Sequence, residues 1–323
     1  MMDSTKPTAR TRSSIPRRGD VAVQRMTVLL FAVGFLLGAL GSPVEGNTGT
    51  SIVFTARVGG NWDLFISALD GSRTERLTET LWDELSPATS PDAGRLAYAT
   101  SDGSLWTMIL ATHEVTRLPL PPGRYGHPTW LRDGSGIVFT SYVVHPPDED
   151  SDLYVYVFQE GKMKLFLKQN GPQDYPAISP DGNKVAYMCS FATVIPGMEG
   201  IVNQQLWVAD LRLGKAAPLF LSPAKDRHPA WSPDGKRLAF TSDRAGRPDI
   251  WITDLDGHET TQLTNDPASA TTPAWSPDGK EIIYVSTASG HSELTIVNVA
   301  TRATRKILPF GSRPVEVRDP QWR

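Results

Sequence analysis

A single cysteine, Cys189, stands in 323 residues, so neither an internal disulfide framework nor a Cys-x-x-Cys metal or redox pair is available. Charge of one sign is also scarce. The 32 basic and 35 acidic side chains nearly cancel, which removes the electrostatic reason to expect nucleic acid. Complete enzyme motifs are missing. Gly290-His-Ser-Glu-Leu294 begins like a nucleophile elbow but lacks the closing glycine. His258-Glu-Thr-Thr-Gln262 lacks the second histidine of a zinc helix, and no glycine-rich phosphate loop occurs. What the chain does hold is turn formers and aromatics: 27 Gly, 26 Pro and nine Trp. That mixture, with 40% hydrophobic and 21% charged residues, points to an ordered all-β protein of many short strands and many turns.

Residues 1–46 read as a segment outside the fold. Lys6, Arg10, Arg12, Arg17, Arg18 and Arg25 precede an uncharged apolar run of 15 residues, Met26 to Leu40. A spanning helix needs about 20 apolar residues and a signal-peptide core about 7–15, so a signal peptide is expected, with an uncleaved inner-membrane anchor as the alternative. Ala39-Leu40-Gly41 supplies small residues for cleavage, and Val44-Glu45-Gly46 a weaker option. The basic side stays in the cytoplasm and the rest is exported, to the periplasm or the exterior. Residues 47–323 carry 26 basic and 32 acidic side chains, so this part is mildly acidic and contact with a membrane is expected only through the N-terminal segment.

A repeat organises the remainder. His228 to Phe240 reads His-Pro-Ala-Trp-Ser-Pro-Asp-Gly-Lys-Arg-Leu-Ala-Phe, and Thr272 to Tyr284 follows the same pattern. Weaker copies begin at Tyr175, His127 and Ser86, and the chain closes on Asp319-Pro-Gln-Trp-Arg323. The anchor prolines are Pro87, Pro128, Pro176, Pro229, Pro273 and Pro320, spaced by 41, 48, 53, 44 and 47 residues. Each unit reads as four strands. Proline lacks a donor and belongs at a strand start or edge. Ser-Pro-Asp-Gly is a turn, in which Pro presets φ, Asp bonds its own backbone and Gly accepts φ > 0. Leu77, Leu118, Phe166, Leu219 and Leu263 each fall ten residues before an anchor proline and mark the fourth strand. Trp130, Trp231, Trp275 and Trp322 lie two after the proline, and Trp106, Trp207 and Trp251 lie in the third strand. Large aromatics recurring in one register are expected to pack between units.

Four-stranded units of about 40–50 residues indicate a β-propeller. Residues 51–80 supply a blade without a first strand, and Val317 to Arg323 supply a first strand without a blade. Pairing the two closes a ring of six and removes open edges.

At the Ser-Pro-Asp-Gly units the sequence resembles the WD-repeat-like propeller repeats of TolB-type proteins of the Tol-Pal system, also found in prolyl oligopeptidase-type propellers. The resemblance covers about residues 50–323. It implies a periplasmic, six-bladed, non-catalytic propeller that binds other proteins across its mouth. Residues 47–50 leave no room for a preceding domain, so a bare propeller over 47–323 is expected, as a monomer.

Residues just before each anchor proline enter the innermost strand and ring the channel. The candidate mouth is Asp83, Glu84, Arg124, His127, Asp174, Tyr175, Asp226, Arg227, His228, Thr271, Thr272, Arg318 and Asp319. Such a ring suits a protein or peptide of the cell envelope or another polymer, and its plainer role is to solvate the channel. No cofactor is expected. The alternative is a carbohydrate-active enzyme resembling oligogalacturonate lyases, with a divalent metal on His127 and His228. Two long hairpins, Tyr142 to Ser151 and Phe191 to Gln204, are expected beside the mouth as a rim. Asp148, Glu149, Asp150 and Asp152 are expected to form a solvated acidic loop, and Cys189 a small buried side chain.

Overall fold

The computed structural model describes residues 51–142, 150–192 and 202–323. The leader over 1–46 and most of the two long hairpins, with Asp148, Glu149 and Val194 to Ile201, lie outside the described residues. The strands form six four-stranded antiparallel sheets in a ring, as the repeat predicts. In five blades the sequence order of strands is also their spatial order. Blade one alone joins the two ends of the propeller. Val317–Trp322 pairs with Ser51–Arg57, with Ile52 opposite Trp322 and Ala56 opposite Val317.

Each Ser-Pro-Asp-Gly turn is tied by the side chains its sequence supplies. In blade five the Ser232 hydroxyl donates to Asp234 at 2.6 Å and accepts the Arg237 N–H at 2.9 Å, while the Lys236 N–H reaches Asp234 at 3.1 Å. Gly235 takes φ of 68°, which a side chain would resist. In blade four the Ser179 hydroxyl and the Asn183 amide pull the Asp181 carboxyl down to about 2. Blade two departs from the pattern, since Ala93 occupies the left-handed position there with φ of 55°.

The blades pack face to face through recurring aromatics. Phe54, Tyr98, Phe139, Tyr187, Phe240 and Tyr284 occupy one register of the second strand, and each is at least 97% buried. The four tryptophans after the anchor prolines are also buried. Their indole N–H groups each donate to a carbonyl of the preceding blade: Trp130 to Ala88 at 3.0 Å, Trp231 to Ala177 at 2.9 Å, Trp275 to Ala230 at 3.1 Å and Trp322 to Ala274 at 2.9 Å. They staple blades, the packing role expected of them. Thr89 and Ile178 stand in this register in blades two and four. The third-strand tryptophans Trp106, Trp207 and Trp251 are only half-buried. One fourth-strand expectation shifts. A bulge between Leu153 and Tyr154 places Leu167, rather than Phe166, in the buried site of blade three. Cys189 is fully buried, as expected, and burial pushes its thiol up to about 11.

Candidate binding site in the channel

The anchor prolines shape the channel through the residue before them. Proline disfavours the right-handed helical region for that residue. Ser86, His127, Tyr175, His228, Thr272 and Asp319 all take left-handed φ, between 47° and 53°. In five blades the register between first and second strands slips at this point, as at Arg227/Ala230. The sixth slip falls opposite, at Val53/Thr55. This is a β-bulge, a device that re-aims a side chain. It turns all six side chains into one cavity of about 580 Å³. A β-branched Thr272 in this conformation is strained. The same backbone recurs in every blade whatever the side chain, so the bulge is architectural and the chemistry lies in which residue each blade supplies.

The cavity runs from this ring toward the Ser-Pro-Asp-Gly turns, with Pro91, Pro180, Pro233 and Pro277 at its outer rim. It therefore opens at the end opposite Tyr142 and Asp150. Going round the ring, one half is hydroxyl and carboxylate: Thr272, Asp319 and Ser86 on blades six, one and two. The other half is aromatic: His127, Tyr175 and His228 on blades three, four and five.

The aromatic half is one contact network. Tyr175 lies between the two histidines, with ring centroids 3.9 Å from His127 and 4.4 Å from His228. His127 Nδ1 meets the Asp174 carboxylate at 2.6 Å. That carboxylate also accepts the Thr140 hydroxyl at 2.9 Å, the Tyr142 hydroxyl at 3.0 Å and the Tyr175 N–H at 2.8 Å. Burial opposes charge on Asp174, yet His127 and these donors outweigh it and hold the carboxyl below its ordinary value. Burial, then Asp174 and Asp319, push the Tyr175 phenol up to about 12. His228 is held neutral. Burial, with His127 and the Arg227 cation beside it, pushes its imidazole down to about 3.

The remaining mouth residues divide by register. Glu84 and Asp226 stand three before the proline and are fully buried in the wall. Glu84 accepts the Thr78 and Thr80 hydroxyls at 2.8 and 2.6 Å, and Asp226 pairs with Arg244 at 2.9 Å. Burial raises both carboxyls above their ordinary values. Asp83 accepts the Trp62 N–H at 2.9 Å and ties blade two to blade one. Arg227 reaches the Gln204 side chain, Arg124 lies 5.8 Å over the Tyr142 ring, and Arg318 stacks 3.7 Å over Trp62. Thr271, half-buried, is opposite Val285 in the sheet. Only His127, Tyr175, His228, Thr272 and Asp319 of the expected residues line the cavity itself. Ser86 joins them; its place directly before Pro87 is the signal that would have found it.

The residues present do not fit a channel metal. Only the Nε2 atoms of His127 and His228 remain as donors, Tyr175 separates the two rings, and no carboxylate or cysteine completes a group of three there among the described residues. Among the described residues, the one group of three metal-ligand types is Asp254, Asp256 and His258, in an outer hairpin of blade five. There Asp254 already accepts the His258 and Glu259 N–H groups at 2.8 and 3.2 Å, which is a turn-forming role.

The TolB beta propeller domain family matches residues 142–310. The chain belongs to this family. A TolB homologue of Chlorobium luteolum is 27% identical over 171 residues, which is 52% of this chain and 36% of that protein. The aligned part is about a third of the length of such curated relatives. Among solved structures, TolB from Acinetobacter baumannii superposes with a TM-score of 0.72 at 21% identity, over 86% of this chain and 67% of that one. An oligogalacturonate lyase in complex with manganese superposes with a TM-score of 0.56 at 19% identity, over 80% of this chain and 73% of the lyase. At these identities the superpositions speak for the TolB-like fold alone.

Proposed function

We propose that this TolB-family chain is an exported, non-catalytic propeller that binds a polypeptide partner of the cell envelope through its channel. The observation that carries the reading is the ring before the anchor prolines. Six identical backbone positions, which demand no particular side chain, hold Ser, His, Tyr, His, Thr and Asp. Asp174 and Tyr142 hold the His127 ring, and the Tyr175 and His228 rings pack in turn against it as a preformed surface. Rigid, hydrogen-bonded polar and aromatic groups lower the entropy lost on binding. Export rests on the basic leader and the 15-residue apolar run.

The test replaces the cavity-lining His127, Tyr175, His228 and Thr272 together by alanine and compares pull-down from envelope extracts with the parent chain. Loss of the parent's partner is expected, with the far-ultraviolet circular dichroism of the parent retained. A partner recovered in unchanged yield removes the channel mouth from the binding site. N-terminal sequencing of the exported chain checks export: a start shortly after Ala39 or Glu45 is expected from cleavage, and an intact Met1 in the membrane fraction from an anchor.

A further inference from the structure

The channel cavity is two-sided, and its two sides select one kind of group. Asp319 is the only carboxylate facing the cavity among the described residues. Its single hydrogen bond comes from the Ser86 N–H at 3.2 Å, and no cation lies within ion-pair distance among the described residues. Beside it the Thr272 hydroxyl is buried without a partner, and so is the Thr89 hydroxyl farther along the same wall. A buried polar atom without a partner is costly unless something enters to meet it. Opposite, three blades round the ring, stands the Tyr175 ring with His127 and His228 against it. The histidine rings take up the Tyr175 faces, and its phenol oxygen, without a hydrogen-bond partner among the described residues, can accept from an N–H of a cation. His228 adds no repulsion, since it is neutral there. His127 is matched by the Asp174 carboxylate. Among the described residues the one cationic side chain on the cavity, Arg132, lies toward the turn end, where its Nε donates to the Pro180 carbonyl at 2.8 Å.

We propose that the cavity binds a primary ammonium group, entering from the Ser-Pro-Asp-Gly end, with Asp319 and the Thr272 hydroxyl on one side and the Tyr175 phenol oxygen on the other. This deepens the channel-binding reading and rests on it, by naming the group of a polypeptide that the channel takes. That group is either a free N-terminus or a lysine side chain. The walls suit the carbon chain behind it, being proline rings and tryptophan edges. The volume, about 580 Å³, lies within the usual range of small-ligand sites.

Isothermal titration of the full-length chain with three probes tests this. They are tetra-alanine with a free N-terminus, N-acetyl-tetra-alanine, and N-acetyl-lysine methylamide. Heat is expected with at least one amine and none with the acetylated peptide. Tetra-alanine binding alone assigns the N-terminus, and the lysine derivative alone assigns the side chain. Asp319→Asn is expected to weaken the amine at least about tenfold, the worth of one charge-assisted hydrogen bond. If that variant melts early, Thr272→Val removes the unpartnered hydroxyl at near-constant volume and is expected to weaken the amine severalfold. Equal binding of acetylated and free peptides, no binding by either amine, or unchanged affinity in folded Asp319→Asn overturns the proposal. Should the amines fail while pull-down still responds to the four-residue mouth variant, the ammonium site alone is lost.

Discussion

Trp322 carries the closure of the ring, and its contribution can be worked out from its surroundings. The side chain is 92% buried and donates its indole N–H to the Ala274 carbonyl of blade six at 2.9 Å. It packs with Phe54, Phe65 and Ile283 in the cluster between blades six and one. A buried tryptophan removes roughly 150–250 Å² from water, about 4–6 kcal/mol at ~25 cal/mol per Å². The hydrogen bond adds about 1 kcal/mol net. Partial collapse of the cavity and a compact unfolded state reduce the sum, so Trp322→Ala is expected to cost about 4 kcal/mol. Trp322→Phe keeps most of the apolar area and loses the donor, which leaves about 1–2 kcal/mol. Trp251→Ala is the control. That ring is half-buried and its indole nitrogen has no partner, so about 1–2 kcal/mol is expected. Guanidinium unfolding followed by far-ultraviolet circular dichroism reads all three. Trp322→Phe as damaging as Trp322→Ala, or Trp322→Ala no worse than Trp251→Ala, refutes the claim that this tryptophan staples the ends.

Two further outcomes follow from the same geometry. The His228 imidazole sits at about 3 in the folded chain against 6.5 when free, so between those values the unfolded chain holds a proton that the folded chain lacks. Stability from this group is therefore complete above pH 6.5 and falls on acidification by up to about 1.4 kcal/mol per pH unit. Against His228→Gln, the parent chain is expected to lose about 2 kcal/mol more between pH 7.5 and pH 5, and parallel stability curves for the two would contradict the burial argument. Gly257 and Gly246 both hold left-handed φ, 71° and 92°, but a Cβ on Gly257 would lie 2.4 Å from the Leu219 carbonyl of blade four and one on Gly246 would meet nothing. Gly246→Ala is expected to cost about 1 kcal/mol and Gly257→Ala about 2–4 kcal/mol, measured by the same unfolding assay; equal costs would show that the blades separate freely there.

The repeat makes the fold legible in the sequence itself, because each blade must restate its own strands and turns. Ser-Pro-Asp-Gly names its turn through donors and acceptors that lie within five residues of one another. Trp130, Trp231, Trp275 and Trp322 announced contact between blades through one shared register. The half-strand at the C-terminus announced its partner at Ile52 through hydrogen-bonding groups that otherwise face solvent. The candidate site was legible only in outline. Its residues come from six blades, and nothing local says which of two neighbours faces the channel. Glu84 and Ser86 are two apart, yet one is sealed in the wall with Thr78 and the other faces the cavity. The bulge before each proline decides that. The pairing of His127 with Asp174, across 47 residues, exists only when blades three and four pack together, and the opposition of Tyr175 to Asp319 only when the ring is shut. Sequence determined the blade, because its interactions are short-range and repeated. Tertiary structure decided the chemistry of the channel, because that depends on which single side chain each blade turns toward a common axis.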